Sequence, residues 1–119
     1  METWDAIRSR RDVREYRPGP IDPELLDRIL EAGRRAPSSQ NWQPWTFVAV
    51  TDRSRLEQLS KVWKGAGHVA GSAATIALVA AEPDPGEVTR LHFDLGQAAM
   101  SMLLEATDAG VRVGSLGGR

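Results

Sequence analysis

Twelve consecutive residues constrain this chain more than any others: Arg34-Arg35-Ala36-Pro37-Ser38-Ser39-Gln40-Asn41-Trp42-Gln43-Pro44-Trp45. They stand between a well-signalled helix and an apolar strand, which makes them a connecting loop, yet their composition is one of contact. Pro37 and Pro44 fix φ and stiffen both ends. Ser38, Ser39, Gln40, Asn41 and Gln43 offer neutral hydrogen-bonding side chains, and Trp42 and Trp45 add large flat surfaces. A rigid polar loop flanked by indoles suits a planar ligand rich in donors and acceptors. Turns favour the same residue types, so a capped helix end with Trp45 packed into the core is the alternative that composition leaves open.

The elements on either side are legible from caps and periodicity. Asp22 predicts an N-cap, Pro23 the first helical position, and Ile21 a staple onto Leu26. Leu25, Leu26, Ile29, Leu30 and Gly33 form the apolar stripe of that helix, with Arg34 and Arg35 at its C-terminal dipole. Thr46–Thr51 reads as a buried strand, and Ser54 as the cap of a short helix carrying Leu56 and Leu59. Trp63–Gly71 reads as an irregular connection, Ala73–Ala81 as a central strand, and Glu82–Gly86 as a turn. A long helix is predicted from Val88 or Thr89 to Ala109, with Gly110 as its C′ residue. Its apolar stripe holds Leu91, Leu95, Ala98, Ala99, Met102, Leu103, Ala106 and Ala109. Arg90, Asp94, Gln97, Ser101, Glu105 and Asp108 recur on the other side, read as a solvated or partner-facing face. Gly96, Ala98 and Ala99 would admit a second helix at close range. Val111–Gly118 is a Gly-rich strand and turn.

Several function classes fall away. The 119 residues make one domain at most, able to bury roughly two thirds of its unfolded surface. The 15 basic and 16 acidic residues leave a net charge of −1, with no global pull toward nucleic acid or anionic membrane. The absence of cysteine excludes disulfides, thiolate nucleophiles and Cys-ligated metals. His68 and His92 lie 24 positions apart with no HxH or HxxxH spacing, so no metal is expected. Neither an apolar leader nor a run long enough to span a bilayer is present, and a cytoplasmic location is the expectation. Ser38 and Ser39 lack a GxSxG elbow, and neither a GxGxxG nor a Walker pattern occurs.

The N-terminal segment is predicted to begin with a helix over Thr3–Arg11, capped by Thr3, with Trp4 and Ile7 on one face. Arg8, Arg10, Arg11, Arg14 and Arg17 then cluster, interleaved with Asp5, Asp12 and Glu15. Such a cluster is ordinarily an ion-paired surface, and it can equally hold a phosphate, because each Arg presents a planar fork of donors. Its interleaved acids cancel most of the field that a nucleic-acid binder needs. Tyr16–Pro20 is an extended linker.

Taken in order, Arg10-Arg11-Asp12-Val13-Arg14, Pro-Ser-Ser-x-Asn-x-Gln-Pro-Trp over 37–45, and Asp-x-Gly-x-Ala-Ala over 94–99 resemble the FMN-dependent nitroreductase family. The resemblance implies an α/β (α+β) fold with a central mixed sheet flanked by helices, assembled as a homodimer about the long helix. It implies FMN at the dimer interface. Arg10 would meet the phosphate and Arg14 the pyrimidine edge, with Arg11 and Asp12 beside them. Pro37, Ser38, Ser39, Asn41 and Gln43 would come from the other subunit, and Gly117 and Gly118 would pass near the N5 edge. The implied activity is an NAD(P)H oxidoreductase reducing nitroaromatics, quinones or similar small acceptors, with the chemistry on the flavin and no catalytic side chain. Asp12 stands where the family more often has Ser, and resembles the branch that fragments flavin to 5,6-dimethylbenzimidazole. A flavin-binding or dimerising fragment without turnover is the non-enzyme alternative. Family members continue past the equivalent of Arg119, so residues 1–119 are expected to be a C-terminally truncated flavin-binding domain, either a fragment or a reduced variant.

Overall fold

The computed structural model describes residues 1–115. Two short strands carry the sheet and four helices surround it: α1 (Thr3–Ser9), α2 (Pro23–Arg34), β1 (Trp45–Val50), α3 (Arg53–Leu59), β2 (Thr75–Ala80) and α4 (Val88–Asp108). Short 3-10 turns occupy Ser39–Asn41, Lys64–Gly71 and Pro85–Glu87. β1 and β2 pair antiparallel in a register from Trp45–Ala80 to Val50–Thr75. A single parallel bridge joins Asp12 to Val113. The arrangement is the predicted α/β class, and the sheet of the described residues has only two strands.

α2 forms where its caps place it. The Asp22 carboxylate accepts the Glu24 N–H at 3.0 Å, and Pro23 fills the first turn. Its buried face, Ile29 and Gly33, packs on α4 through Met102 and Ala106. Gly33 is required by that approach, since a Cβ there would lie 2.8 Å from the Met102 sulfur. Ile21, Leu25, Phe47, Ile76, Leu78, Val111 and Val113 close around this cluster. Each large side chain so buried contributes about 1.5–3 kcal/mol. Outside the core, Arg28 forms an ion pair with Glu105 at 2.6 Å between α2 and α4.

Four local expectations shift. α1 stops at Ser9 and is preceded by Glu2 as N-cap, without a side-chain cap bond. Only Ala6 of α1 is buried, while Trp4 and Ile7 are exposed, because α1 lies on α4 over a narrow contact. α3 is capped by Asp52, which accepts the Arg55 N–H, while Ser54 sits inside the helix with its hydroxyl on Asp52. The carboxylate is the stronger acceptor for an orphan N–H, and it lies one residue before the first helical position. The Trp63–Gly71 region is ordered as a 3-10 turn, and the Arg53 guanidinium bonds the Ala70 and Ser72 carbonyls at its end. β2, expected to be central, has one strand partner among the described residues. Its other side opens on a cleft of about 460 Å³ between β2, α4 and the segments around Tyr16 and Val113.

Candidate functional site: an anchored polar loop and an arginine segment

The loop following α2 is held from below by one buried carboxylate. Asp94, in the second turn of α4, is 1% exposed. It accepts the Ser39 N–H at 3.0 Å, the Trp42 indole N–H at 2.5 Å and, more weakly, the Ser39 hydroxyl at 3.5 Å. Burial pushes its pKa upward. The Ser39 amide, the Trp42 indole, the Ser39 hydroxyl and Arg90 together outweigh that and hold it below the ordinary carboxylate value. Arg90 also lies over the Trp42 ring, 4.1 Å from its centroid, so the indole is fixed at its edge and on its face. Helical periodicity assigns Asp94 to an outward polar face; tertiary packing turns it inward. A helix residue buried with a charge requires several donors, and an upstream loop supplies them.

Held in this way, the loop adopts backbone that its sequence alone would resist. Gln40, Asn41 and Gln43 all have positive φ, at 52°, 57° and 46°. Asn tolerates that region, and Gln does so at a cost of about 1 kcal/mol or more. The turn is locked further by Gln43 N–H to Ser38 Oγ at 3.0 Å and Gln43 Nε2 to Asn41 Oδ1 at 2.7 Å. Pro37, Asn41 and Gln43 face solvent, while Ser38 and Ser39 are half-buried. Trp45 is half-buried and stacks on Phe47 with ring centroids 5.9 Å apart, so it touches the core residue Phe47 without itself entering the core cluster.

The arginine segment is tied to a different part of the molecule. Val13 N–H bonds the Val113 carbonyl at 2.8 Å, beyond the C-terminal end of α4. Gly114 lets the two chains approach, since a Cβ there would lie 2.4 Å from the Val13 oxygen. Arg10 bonds Asp12 at 3.1 Å, and the Ser115 hydroxyl reaches the same carboxylate at 3.4 Å. Arg14 donates to the Ser115 carbonyl at 3.1 Å and meets His68 Nε2 at 2.9 Å. Arg8 pairs with Asp5, whereas Arg11, Glu15 and Arg17 make no ion pair among the described residues. Tyr16 lies beside His68 with ring centroids 6.3 Å apart, and burial raises its phenol pKa.

The donor chemistry suits a phosphate-bearing planar group. Arg10 commits one N–H to Asp12 and retains others, Arg11 is uncommitted, and the Ser38–Gln43 loop presents neutral hydrogen-bonding edges. Structure groups the predicted residues into two sets, Arg10, Arg11, Asp12 and Arg14 in one and Pro37, Ser38, Ser39, Asn41 and Gln43 in the other. No hydrogen bond or ion pair joins the sets among the described residues. Gly117 and Gly118 lie outside the described residues. Asp94 and His68 are the positions that sequence reasoning did not assign to the site. The signal available for Asp94 was its place in the Asp-x-Gly-x-Ala-Ala motif over 94–99, since its helical spacing pointed outward.

The fold is a helix-flanked α/β unit that anchors a Ser/Asn loop at Asp94 and an arginine segment at Val113. The family model described as the nitroreductase family matches residues 7–74. The chain belongs to the nitroreductase family. An NADH dehydrogenase of Thermus thermophilus is 40% identical over 80 residues, covering 67% of this chain and 39% of that protein. A 5,6-dimethylbenzimidazole synthase of Rhodobacter capsulatus is 31% identical over 121 residues, covering 88% of this chain and 59% of that one. The solved structure of an FMN-dependent nitroreductase from Clostridium difficile R20291 superimposes with a TM-score of 0.81 at 28% identity, covering 90% of this chain and 61% of that chain. The chain thus spans between about two fifths and three fifths of these relatives' lengths.

Proposed function

We propose that this chain binds FMN between two copies of itself and serves an NAD(P)H-dependent oxidoreductase that reduces small acceptors such as nitroaromatics or quinones. One observation carries the reading. The two residue sets are anchored to opposite ends of α4, one at Asp94 and one beyond its C-terminus at Val113, and no hydrogen bond or ion pair joins them among the described residues. Two antiparallel copies of α4 would bring the loop of one to the arginines of the other. α4 presents Phe93 and Met100 on its exposed side, 67% and 42% exposed, with Gly96 between them and no atom within 4 Å of its would-be Cβ. That stripe can receive a second helix closely.

FMN, when bound, supplies a two-electron carrier between nicotinamide and acceptor. Arg10, with Arg11 and Asp12 beside it, would hold the phosphate. Arg14 would place positive charge at the pyrimidine edge and favour negative charge there. Pro37, Ser38, Ser39, Asn41 and Gln43 of the partner copy would fix the ring edges through a turn already built. Gly117 and Gly118 would offer backbone N–H groups near the N5 edge. No side chain of this set needs to act as nucleophile or base. Soluble expression is assumed in the test, and no helix of the described residues is long and apolar enough to cross a membrane.

Equilibrium dialysis with FMN, followed by NADH and NADPH oxidation with an added quinone, tests the reading. Flavin retention with acceptor-dependent turnover supports it; no binding at high micromolar FMN would overturn it. Asp12 favours a second reading, in which bound flavin is fragmented in an oxygen-dependent reaction. Its carboxylate is shared between Arg10 and the Ser115 hydroxyl, and a relative named for that synthesis is similar over most of the chain. Loss of flavin absorbance that requires oxygen, with 5,6-dimethylbenzimidazole as product, would select it.

A further inference from the structure

We propose that His68 is a positioning residue for Arg14, whose guanidinium it fixes by accepting a hydrogen bond on a neutral imidazole Nε2. The inference rests on the reading that Arg14 meets the cofactor. Arg14 has donors and no acceptor, so the 2.9 Å contact requires an unprotonated Nε2. With the Ser115 carbonyl at 3.1 Å, that contact holds the guanidinium between two acceptors from distant parts of the chain. An Arg side chain otherwise samples many rotamers, and ordering it before a ligand arrives removes that cost from binding.

The surroundings of His68 favour the neutral form. Arg14 and Tyr16 face it from the segment before α2, and Ser115, from the segment past α4, lines the same cleft. The cleft that it lines contains Arg17 and Arg112 and no Asp or Glu among the described residues. Of the acids on that segment, Asp12 is engaged by Arg10 and Ser115, and Glu15, between Arg14 and Tyr16, makes no ion pair or hydrogen bond to His68 among the described residues. Burial and then Arg14 hold the His68 pKa below the ordinary 6.5, against a hydrogen bond to the Gly65 backbone that raises it. Protonation would set two cations face to face and remove the acceptor, releasing Arg14. Cofactor affinity should therefore be constant above pH 6.5 and fall as His68 protonates below it.

The free protein tests the contact and FMN titration tests its role. The chain has two histidines, so proton NMR with a His92→Gln control assigns the His68 ring signal. Its titration midpoint should lie below the ordinary 6.5 and rise in Arg14→Ala. At pH 7.5, His68→Leu should bind FMN about fivefold to tenfold more weakly, the scale of one ordinary hydrogen bond. His68→Gln, which keeps an acceptor, should stay within about twofold. Below pH 6.5 the wild type should lose more affinity than His68→Gln, whose residual slope reports the FMN phosphate, with a second pKa of about 6. Circular dichroism confirms that each variant is folded. An ordinary His68 midpoint unmoved by Arg14→Ala, or His68→Leu equal to wild type in a protein that binds FMN, would overturn the positioning role alone. Absence of FMN binding by the wild type would overturn the cofactor reading and this role with it, leaving the measured His68–Arg14 contact standing.

Discussion

The loop at 37–43 and the arginine segment at 10–17 carry similar densities of polar side chains, yet they are held in opposite ways. The loop hangs on a carboxylate that water does not reach, and its three positive-φ residues persist because that anchor overdetermines them. Among the described residues the arginine segment is held by the Val13–Val113 backbone bond, the Arg14 bond to the Ser115 carbonyl and contacts between half-buried and exposed side chains, with Arg10 and Asp12 26% and 45% exposed. Exposed ion pairs contribute little, about 0–1 kcal/mol. The loop is therefore a prebuilt surface, while the arginine segment is held more loosely.

The largest effect should follow from cutting the loop's anchor. Asp94→Ala strands the Ser39 amide and the Trp42 indole, and should destabilise the protein by about 3 kcal/mol in urea unfolding. A variant within 0.5 kcal/mol of wild type, roughly the scatter of neutral surface changes, would show that the loop is held by something else. Asp94 also predicts a pH dependence. Its folded-state pKa is depressed, so the stability it contributes is fully present above the unfolded value near 3.8 and disappears as pH falls through the folded value. Asp94→Asn should flatten the acid limb of the stability profile.

The next effect breaks the other region at its backbone. Gly114→Ala drives a Cβ toward the Val13 carbonyl and should cost about 2 kcal/mol through overpacking. Its hydrogen-exchange signature should be faster exchange of the Val13 amide, with the Ser39 amide unaffected. Third, Arg10→Ala should weaken FMN binding tenfold or more, the equivalent of about 1.5 kcal/mol, with almost no change in folding stability. Arg14→Ala should lower the bound-flavin midpoint potential instead, by roughly 30 mV for each 1.4 kcal/mol of lost preference for the reduced form. Equal shifts of potential in both variants would erase that division. The smallest effect sharpens the contrast: Gln40→Gly relieves a left-handed Gln and should change stability by no more than about 0.5–1 kcal/mol in the stabilising direction. A large loss would mean that the Gln40 side chain itself holds the turn.

Local chemistry determined much of this protein. Asp22 and Pro23 start α2, the stripe through Ile29 and Gly33 sets its buried face, and the long helix ends at Gly110, whose φ is 78°. These features depend on neighbours within four residues, so periodicity and caps express them directly. The Arg and Ser/Asn motifs named the family for the same reason, as residue order is all that they require. What sequence order does not contain is which helical carboxylate turns inward. Asp94, Glu105 and Asp108 share one polar pattern, but Asp94 meets a loop more than fifty residues upstream, Glu105 meets Arg28, and Asp108 meets the Met1 amine at 3.0 Å. The Arg14–His68 contact likewise joins residues 54 positions apart. Burial in a low-dielectric interior rewards a charge only where donors converge from distant segments, and only the tertiary structure decides where they do.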